Sequence, residues 1–262
     1  MTAPAPAPAP GRAALLLGIA LGGFFDGIVL HQVLQWHHLL SGLERVRDLR
    51  LQLLADGLFH ALMYLLALLG LAGLWRARRA LSGPAAGRVL GSAALVGFGL
   101  WHVLDALLSH WLLGLHRVRM DVADPLPWDL GWLAAFGLLP LAIALWWRRR
   151  PPPAAGPGPG AGHGRSGAVA LGLAALLAGP LAALPAADAD QVLVVFAPGT
   201  AGARAFDALA RLDARVLWAR DGVWAVQMAQ PRQAWRLLGD GALLVGQGPL
   251  AGCLGWTRPA PR

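Results

Sequence analysis

The residues able to do chemistry in this chain are histidines and aspartates set inside apolar runs. The first run holds Asp26, His31 and Gln35, with His37 and His38 at its end. The second holds Asp56 and His60. The third holds His102, Asp105, Ser109 and His110, with His116 just beyond, and the fourth opens at Trp128-Asp129 without a histidine. Ionisable side chains inside a bilayer are costly and by default mark function. Imidazole with some carboxylate suits Cu(II), Zn or Fe, or a haem held between facing helices by His31 and His102 or by His60 and His102. Asp-x-x-x-His at 56–60 and His-x-x-Asp at 102–105 would let a carboxylate hold an imidazole N–H, the arrangement that orients metal-ligating histidines. The expected ligands are therefore His31, His60 and His102, oriented by Asp56 and Asp105, with His37 and His38 as an entry or accessory site. Taken singly, His37, His38, His110 and His116 read more simply as interfacial side chains.

Other chemistries find less material. Cys253 is the only cysteine, so an internal disulfide and a Cys-based zinc or iron–sulfur site are excluded. It reads as a small buried apolar residue. Past Met1, only Met63 and Met120 fall in the helical region, which argues against soft Cu(I) ligation. Glu44 is the only glutamate, which excludes a ferritin-like carboxylate centre. No nucleophile elbow, P-loop or dinucleotide fingerprint is present, and Gly97-Phe98-Gly99 lies inside an apolar run.

The elements that must position these groups are membrane spans. Apolar residues make up 56% of the chain and charged residues 14%, against roughly 25% charged in soluble domains. A span needs about 20 apolar residues, and five stretches qualify: 13–36, 52–75, 89–112, 129–147 and 167–187. All 22 cationic residues are Arg, and they cluster beside the spans, which points to topology and not to nucleic acid. Arg12, Arg76, Arg78, Arg79, Arg88, Arg148, Arg149, Arg150 and Arg165 fall on one side, expected to be cytoplasmic. Arg45, Arg47, Arg50, Arg117 and Arg119 fall on the other, offset by Glu44, Asp48, Asp121 and Asp124.

At a rise of about 1.5 Å per residue, His31, His60, His102 and Asp105 lie roughly 8–15 Å below the outer ends of their spans. They therefore share one slab in the outer half of the membrane. Gly18, Gly22, Gly23 and Gly27 would let neighbouring helices approach closely enough to bring the histidines together.

Along the chain this gives a Pro/Ala tail at 1–11, a four-helix bundle at 12–150, a Pro/Gly linker at 151–166 containing His163, a fifth span at 167–187 and an outer unit at 188–262. The expected setting is a bacterial inner membrane, multi-pass, with the N-terminus cytoplasmic and the outer unit periplasmic. In that unit, QVLVVFAP reads as a buried strand and Thr200–Arg211 as a helix through Ala205 and Leu209. ARVLWA and GVWAVQM read as a hairpin around Asp221-Gly222. Pro231 opens a second helix, and ALLVGQ closes the unit as a strand. The order βαββαβ is that of a ferredoxin-like plait. Trp218, Trp224 and Trp235 are expected in its core.

The segments Gly22-Gly23-Phe24-Phe25-Asp26-Gly27-Ile28-Val29-Leu30-His31-Gln32, Leu34-Gln35-Trp36-His37-His38 and Asp56-Gly57-Leu58-Phe59-His60 resemble a bacterial membrane family designated domain of unknown function 2243. The resemblance covers about residues 12–150. It implies a compact four-helix membrane protein without an established activity. Members are often encoded near respiratory oxidase assembly proteins, which implies a copper or haem role and an oxidase or its assembly proteins as partners. The reading is thus a metal- or haem-binding bundle in respiratory metal handling or electron transfer. Its rivals are a non-catalytic assembly protein with a structural polar network, its outer plait gripping a partner, and a proton or ion relay extended inward by Asp26.

Overall fold

The computed structural model describes residues 10–34, 36–46, 48–83, 85–150, 163–182 and 190–247. The expected tail at 1–9, most of the Pro/Gly linker, Pro185 at the end of the fifth run, Gln35, Arg47 and Cys253 lie outside the described residues.

Five helices are long and apolar enough to cross a membrane: Pro10–His31, Leu49–Arg76, Ala86–Leu112, Leu126–Arg149 and Gly164–Leu181. They begin within about three residues of the expected runs, and the first starts at Pro10, inside the stretch read as tail. Three of them are not uniform. Helix α1 (Pro10–Asp26) runs into a π-helical turn over Gly27–Val33. Helix α3 (Ala86–Leu104) runs into another over Asp105–Leu112. The fourth span is α4 (Leu126–Trp132), a π turn over Leu133–Leu138, and α5 (Leu139–Arg149). There Pro140 has no N–H to return to the preceding turn, which suits the widened backbone before it. Helix α2 (Leu49–Arg76) is regular and starts on Asp48, whose side chain accepts from the Arg50 N–H.

Helix α1 is the most enclosed span. Its glycines explain why. A β-carbon at Gly18 would lie 2.1 Å from the Ala94 carbonyl oxygen, and one at Gly22 would lie 2.9 Å from the Trp101 side chain, so this face meets α3. Gly23 and Gly27 face Met63 and His60 of α2. Close approach replaces hydrophobic driving force, which is weak between helices in lipid. Helix α2 is apolar all round, yet its two faces differ. Asp56, Phe59, Met63, Ala67, Gly70 and Leu74 are buried, whereas Leu54, Leu58, Leu62, Leu65 and Leu69 are exposed at helical spacing. The exposed stripe is the surface offered to lipid. Helix α6 (His163–Ala182) packs across the bundle, with Gly164 on Leu81 and Gly179 on Tyr64.

The C-terminal part is a four-stranded antiparallel sheet in the order β2-β3-β1-β4, from β1 (Gln191–Phe196), β2 (Arg215–Arg220), β3 (Val223–Gln227) and β4 (Ala242–Gln247). Helix α7 (Gly202–Ala210) follows β1, and a 3-10 helix (Pro231–Asp240) precedes β4. Asp221 and Gly222 both have positive φ, the geometry an Asp-Gly hairpin turn requires. Strand β1 is apolar at successive positions because both its faces are covered. Val192, Val194 and Phe196 face the helical layer, and Leu193 and Val195 pack with Val223 against Leu49 and Leu53 at the start of α2. Trp224 and Trp218 pack against these two clusters. Trp235 does not fill the core as expected: it is exposed, because the 3-10 helix turns Ala234 and Leu237 inward.

Candidate metal centre

The histidines and aspartates gather where α1 and α3 end and α2 and α4 begin. Two groups of potential ligands are buried there: Asp26, His31 and His37, and Asp105, His110 and His116. Within each, one donor atom per residue lies within 4.8 Å of the others. The π turns make this possible. In an α-helix, positions i and i+5 point apart. A π turn bonds i to i+5 and places Asp26 with His31 and Asp105 with His110. The widened turns are carried by hydrogen bonds from Leu34 N–H to the Val29 carbonyl and from Leu113 N–H to the Leu108 carbonyl.

Around the first group, Asp56 is the organising carboxylate. Its Oδ1 lies 3.2 Å from His31 Nδ1 and accepts the Leu39 N–H at 2.8 Å, and its Oδ2 lies 2.7 Å from His38 Nδ1. Around the second group, Asp129 does the same work. Its Oδ1 lies 3.2 Å from His110 Nδ1 and accepts the Val118 N–H at 2.9 Å, and its Oδ2 is 2.7 Å from the Arg117 guanidinium. His110 Nε2 lies 3.0 Å from Asp105 Oδ2, and His116 Nε2 lies 3.6 Å from Asp105 Oδ1.

The two groups are joined through His37 and His116. His37 Nδ1 donates to the Val118 carbonyl at 2.9 Å, and His116 Nδ1 donates to the Leu39 carbonyl at 3.0 Å. Their rings stack with centroids 4.3 Å apart and 9° between planes. With Nδ1 committed as donor, Nε2 of each ring presents a lone pair. Both Nε2 atoms are buried without a hydrogen bond, as is Asp26 Oδ1. Burial first, then the neighbouring His116 and His31, holds the His37 imidazole well below its usual range. A cleft of about 360 Å³, lined by Gly42, His110, Gly114, His116, Arg117 and Met120, opens beside the second group.

Of the residues expected from the sequence, His31, His37 and Asp105 sit in these groups, and His38 and Asp56 sit directly behind the first. His60 and His102 are in neither. Each instead hydrogen-bonds the carbonyl four residues back in its own helix, His60 to Asp56 at 2.7 Å and His102 to Phe98 at 2.9 Å. The Asp56 carboxylate thus serves His31 and His38, not its i+4 neighbour. His102 is ringed by Phe25, Phe98, Trp132 and Phe136. Asp26, His110, His116 and Asp129 were not among the expected ligands. The signal that could have found the first three is a repeated spacing, Asp-x4-His-x5-His at 26–37 and again at 105–116; Asp129 lies outside it.

Fold and site together define a polytopic helical membrane protein with a buried histidine–aspartate centre at one end of its bundle. The chain belongs to the family described as predicted membrane protein (DUF2243), whose model matches residues 13–150. That match ends with α5 and contains every residue of the centre. No curated protein and no solved structure matches the chain.

Proposed function

We propose that the bundle binds a transition metal through Asp26, His31 and His37 and through Asp105, His110 and His116, with Asp56 and Asp129 orienting the imidazoles. One observation carries this reading: imidazole and carboxylate donors from α1, α3 and the loops after them converge within 4.8 Å while fully buried. An imidazole–carboxylate donor set suits Zn(II), Cu(II) or Fe. A bound ion fits it better than a haem. Within each group the donors close on a point, and His102, one of the histidines a haem would need, is ringed by aromatic side chains away from both groups. His60 and His102 are buried neighbours of the centre in this reading, outside its ligand set.

The Arg-rich end of the bundle is the cytoplasmic side of a bacterial inner membrane by the distribution of Arg in the short loops. The centre and the C-terminal unit then face the periplasm, where a role in respiratory metal handling or electron transfer, with an oxidase or its assembly proteins as partners, is consistent with the family resemblance. The domain plan is a four-helix bundle at 12–150, a linker, a fifth span and a ferredoxin-like plait. The strand order and antiparallel pairing support the plait. The rival reading of the plait as a peptide-gripping module has less to stand on, because the sheet face opposite its helices already packs on Leu49 and Leu53.

The test is elemental analysis of detergent-purified full-length protein after loading with Zn(II) or Cu(II) and removal of excess metal. Stoichiometric metal that is lost on replacing His31, His37, His110 and His116 together supports the proposal. Protein that stays metal-free after loading, with its fold intact by circular dichroism, overturns it.

A further inference from the structure

The two ligand groups are copies of one design. Asp26, His31 and His37 map onto Asp105, His110 and His116 by a constant shift of 79 positions (26 to 105, 31 to 110, 37 to 116). The same shift relates the contacts between them. His37 donates to the carbonyl of Val118 and His116 to that of Leu39, and Val118 is Leu39 shifted by 79. Leu39 N–H donates to Asp56, and Val118 N–H donates to Asp129, although these two aspartates stand 73 positions apart, not 79. His38 meets Asp56 Oδ2 at 2.7 Å, and Arg117, its shifted counterpart, meets Asp129 Oδ2 at 2.7 Å. The π turns correspond as well: Leu34 to Val29 repeats as Leu113 to Leu108, and Trp36 to Leu30 repeats as Leu115 to Ser109.

The match extends deep into the bundle. A β-carbon at Gly18 would lie 2.1 Å from the Ala94 carbonyl oxygen, and one at Gly97 would lie 2.1 Å from that of Leu15. Gly97 is Gly18 shifted by 79, and Ala94 is Leu15 shifted by 79. Each member of the pair therefore touches its partner's equivalent, which is the mark of a two-fold axis. Helices α1 and α3 both run from the Arg-rich end to the polar end, so the axis lies along the bundle, between the stacked rings of His37 and His116.

A single ion at that axis would draw equally on both copies. The geometry instead closes each ligand group on itself: the donors of Asp26, His31 and His37 converge without help from the second copy, and those of Asp105, His110 and His116 converge without help from the first. Each group also has its own orienting aspartate. We infer that residues 10–149 are a duplicated helical hairpin whose halves each hold one metal ion, giving a centre of two adjacent ions related by the internal two-fold axis. Two adjacent ions are the arrangement that can share a bridging ligand, and Asp26 and Asp105 are the carboxylates of the two ligand groups.

This inference rests on the metal reading above, and the experiment separates the two. Full-length protein in detergent is loaded with Cu(II) alone, and copper per chain is measured together with the electron paramagnetic resonance spectrum. Two copper ions per chain with a spin-coupled spectrum are expected. The pair His31→Gln and His37→Gln should leave one ion and an uncoupled mononuclear spectrum, and His110→Gln with His116→Gln should do the same. One ion per chain in the unaltered protein, abolished by either pair of substitutions, would overturn the two-ion centre and leave the metal reading standing. No copper, with zinc and iron equally unbound in parallel loadings, would overturn both. The spectrum of the unaltered protein needs no variant, so a misfolded substitution cannot mask the outcome.

Discussion

The contact between α1 and α3 at Gly18 and Gly97 is where the bundle can be pried open with one carbon atom. In Gly97→Ala the new methyl would sit 2.1 Å from the Leu15 carbonyl oxygen, where ordinary contact begins at 3.4 Å. The obstacle is main chain, not a flexible side-chain end, so the helices must separate by the difference, about 1.3 Å. The anchors across the axis, His37 to Val118 at 2.9 Å and His116 to Leu39 at 3.0 Å, have little room to stretch before they leave hydrogen-bonding range. Overpacking typically costs about 1–3 kcal/mol, and a main-chain collision belongs at the upper end or beyond. For a chain of this size about 3 kcal/mol corresponds to a fall in thermal midpoint of roughly 6–12 °C. Gly18→Ala should behave alike, its methyl meeting Ala94 at the same 2.1 Å. The controls are Gly57→Ala and Gly131→Ala, which have open space around them and should be neutral or slightly stabilising. Thermal melts in detergent followed by circular dichroism read the difference. If Gly97→Ala melts within a degree or two of Gly57→Ala, the close approach is not what holds the bundle together.

Further outcomes follow from the site. Asp56→Asn and Asp129→Asn leave the ligands in place but remove the carboxylates behind His31 and His110; each should weaken metal binding by roughly 10–100-fold in a chelator competition, without abolishing it. His60→Ala and His102→Ala should leave the bound metal per chain unchanged, because each imidazole turns to its own helix's carbonyl; loss of metal in either would place that histidine among the ligands. Arg117→Gln removes the fixed positive charge at Asp129, and this should strengthen the second copy's ion and narrow the gap between successive binding steps measured by titration. An unchanged or wider gap would show that Arg117 does not tune that half.

The spans were legible because they rest on composition and length, which the bilayer fixes within a few residues. The hairpin at Asp221-Gly222 was equally plain, since a positive φ at both positions is something few residue pairs supply. Of the residues singled out in the sequence, His31, His37 and Asp105 fall in the two buried groups. What failed was rotation. Facing was reckoned at the α-helical angle, which pairs Asp56 with His60 and His102 with Asp105. His60 and His102 instead turn to carbonyls of their own helices, and where the backbone widens at Asp26 and at Asp105 residue i+5 becomes the neighbour, which brings Asp26 to His31 and Asp105 to His110. Asp129 was passed over because its run has no histidine, though a carboxylate needs only to reach one on another helix. Trp235 was misjudged because a helical reading of 231–240 places it differently from the 3-10 turn that forms.

Unpaired nitrogens alone do not single out the centre. Nε2 of His60 and of His102 is as buried and as free of hydrogen bonds as Nε2 of His37 and of His116. Convergence separates them. His60 and His102 face aromatic rings, with no carboxylate in donor range, and occupy positions whose shifted counterparts are not histidine: His102 answers to Gly23 in the first copy. His37 and His116 flank the axis, answer to each other, and sit in the groups of Asp26 and Asp105. A polar network serving only to fix helix packing would have no need to reproduce the same pattern of anchors and carboxylates twice around an axis. It could also pair its nitrogens off. Under the metal reading, Nε2 of His37 and Nε2 of His116, buried without a hydrogen bond, are the donors offered to the ions. The residues that break the two-fold symmetry, His38 against Arg117 and His102 against Gly23, are then where the two halves can be given different affinities and different surroundings.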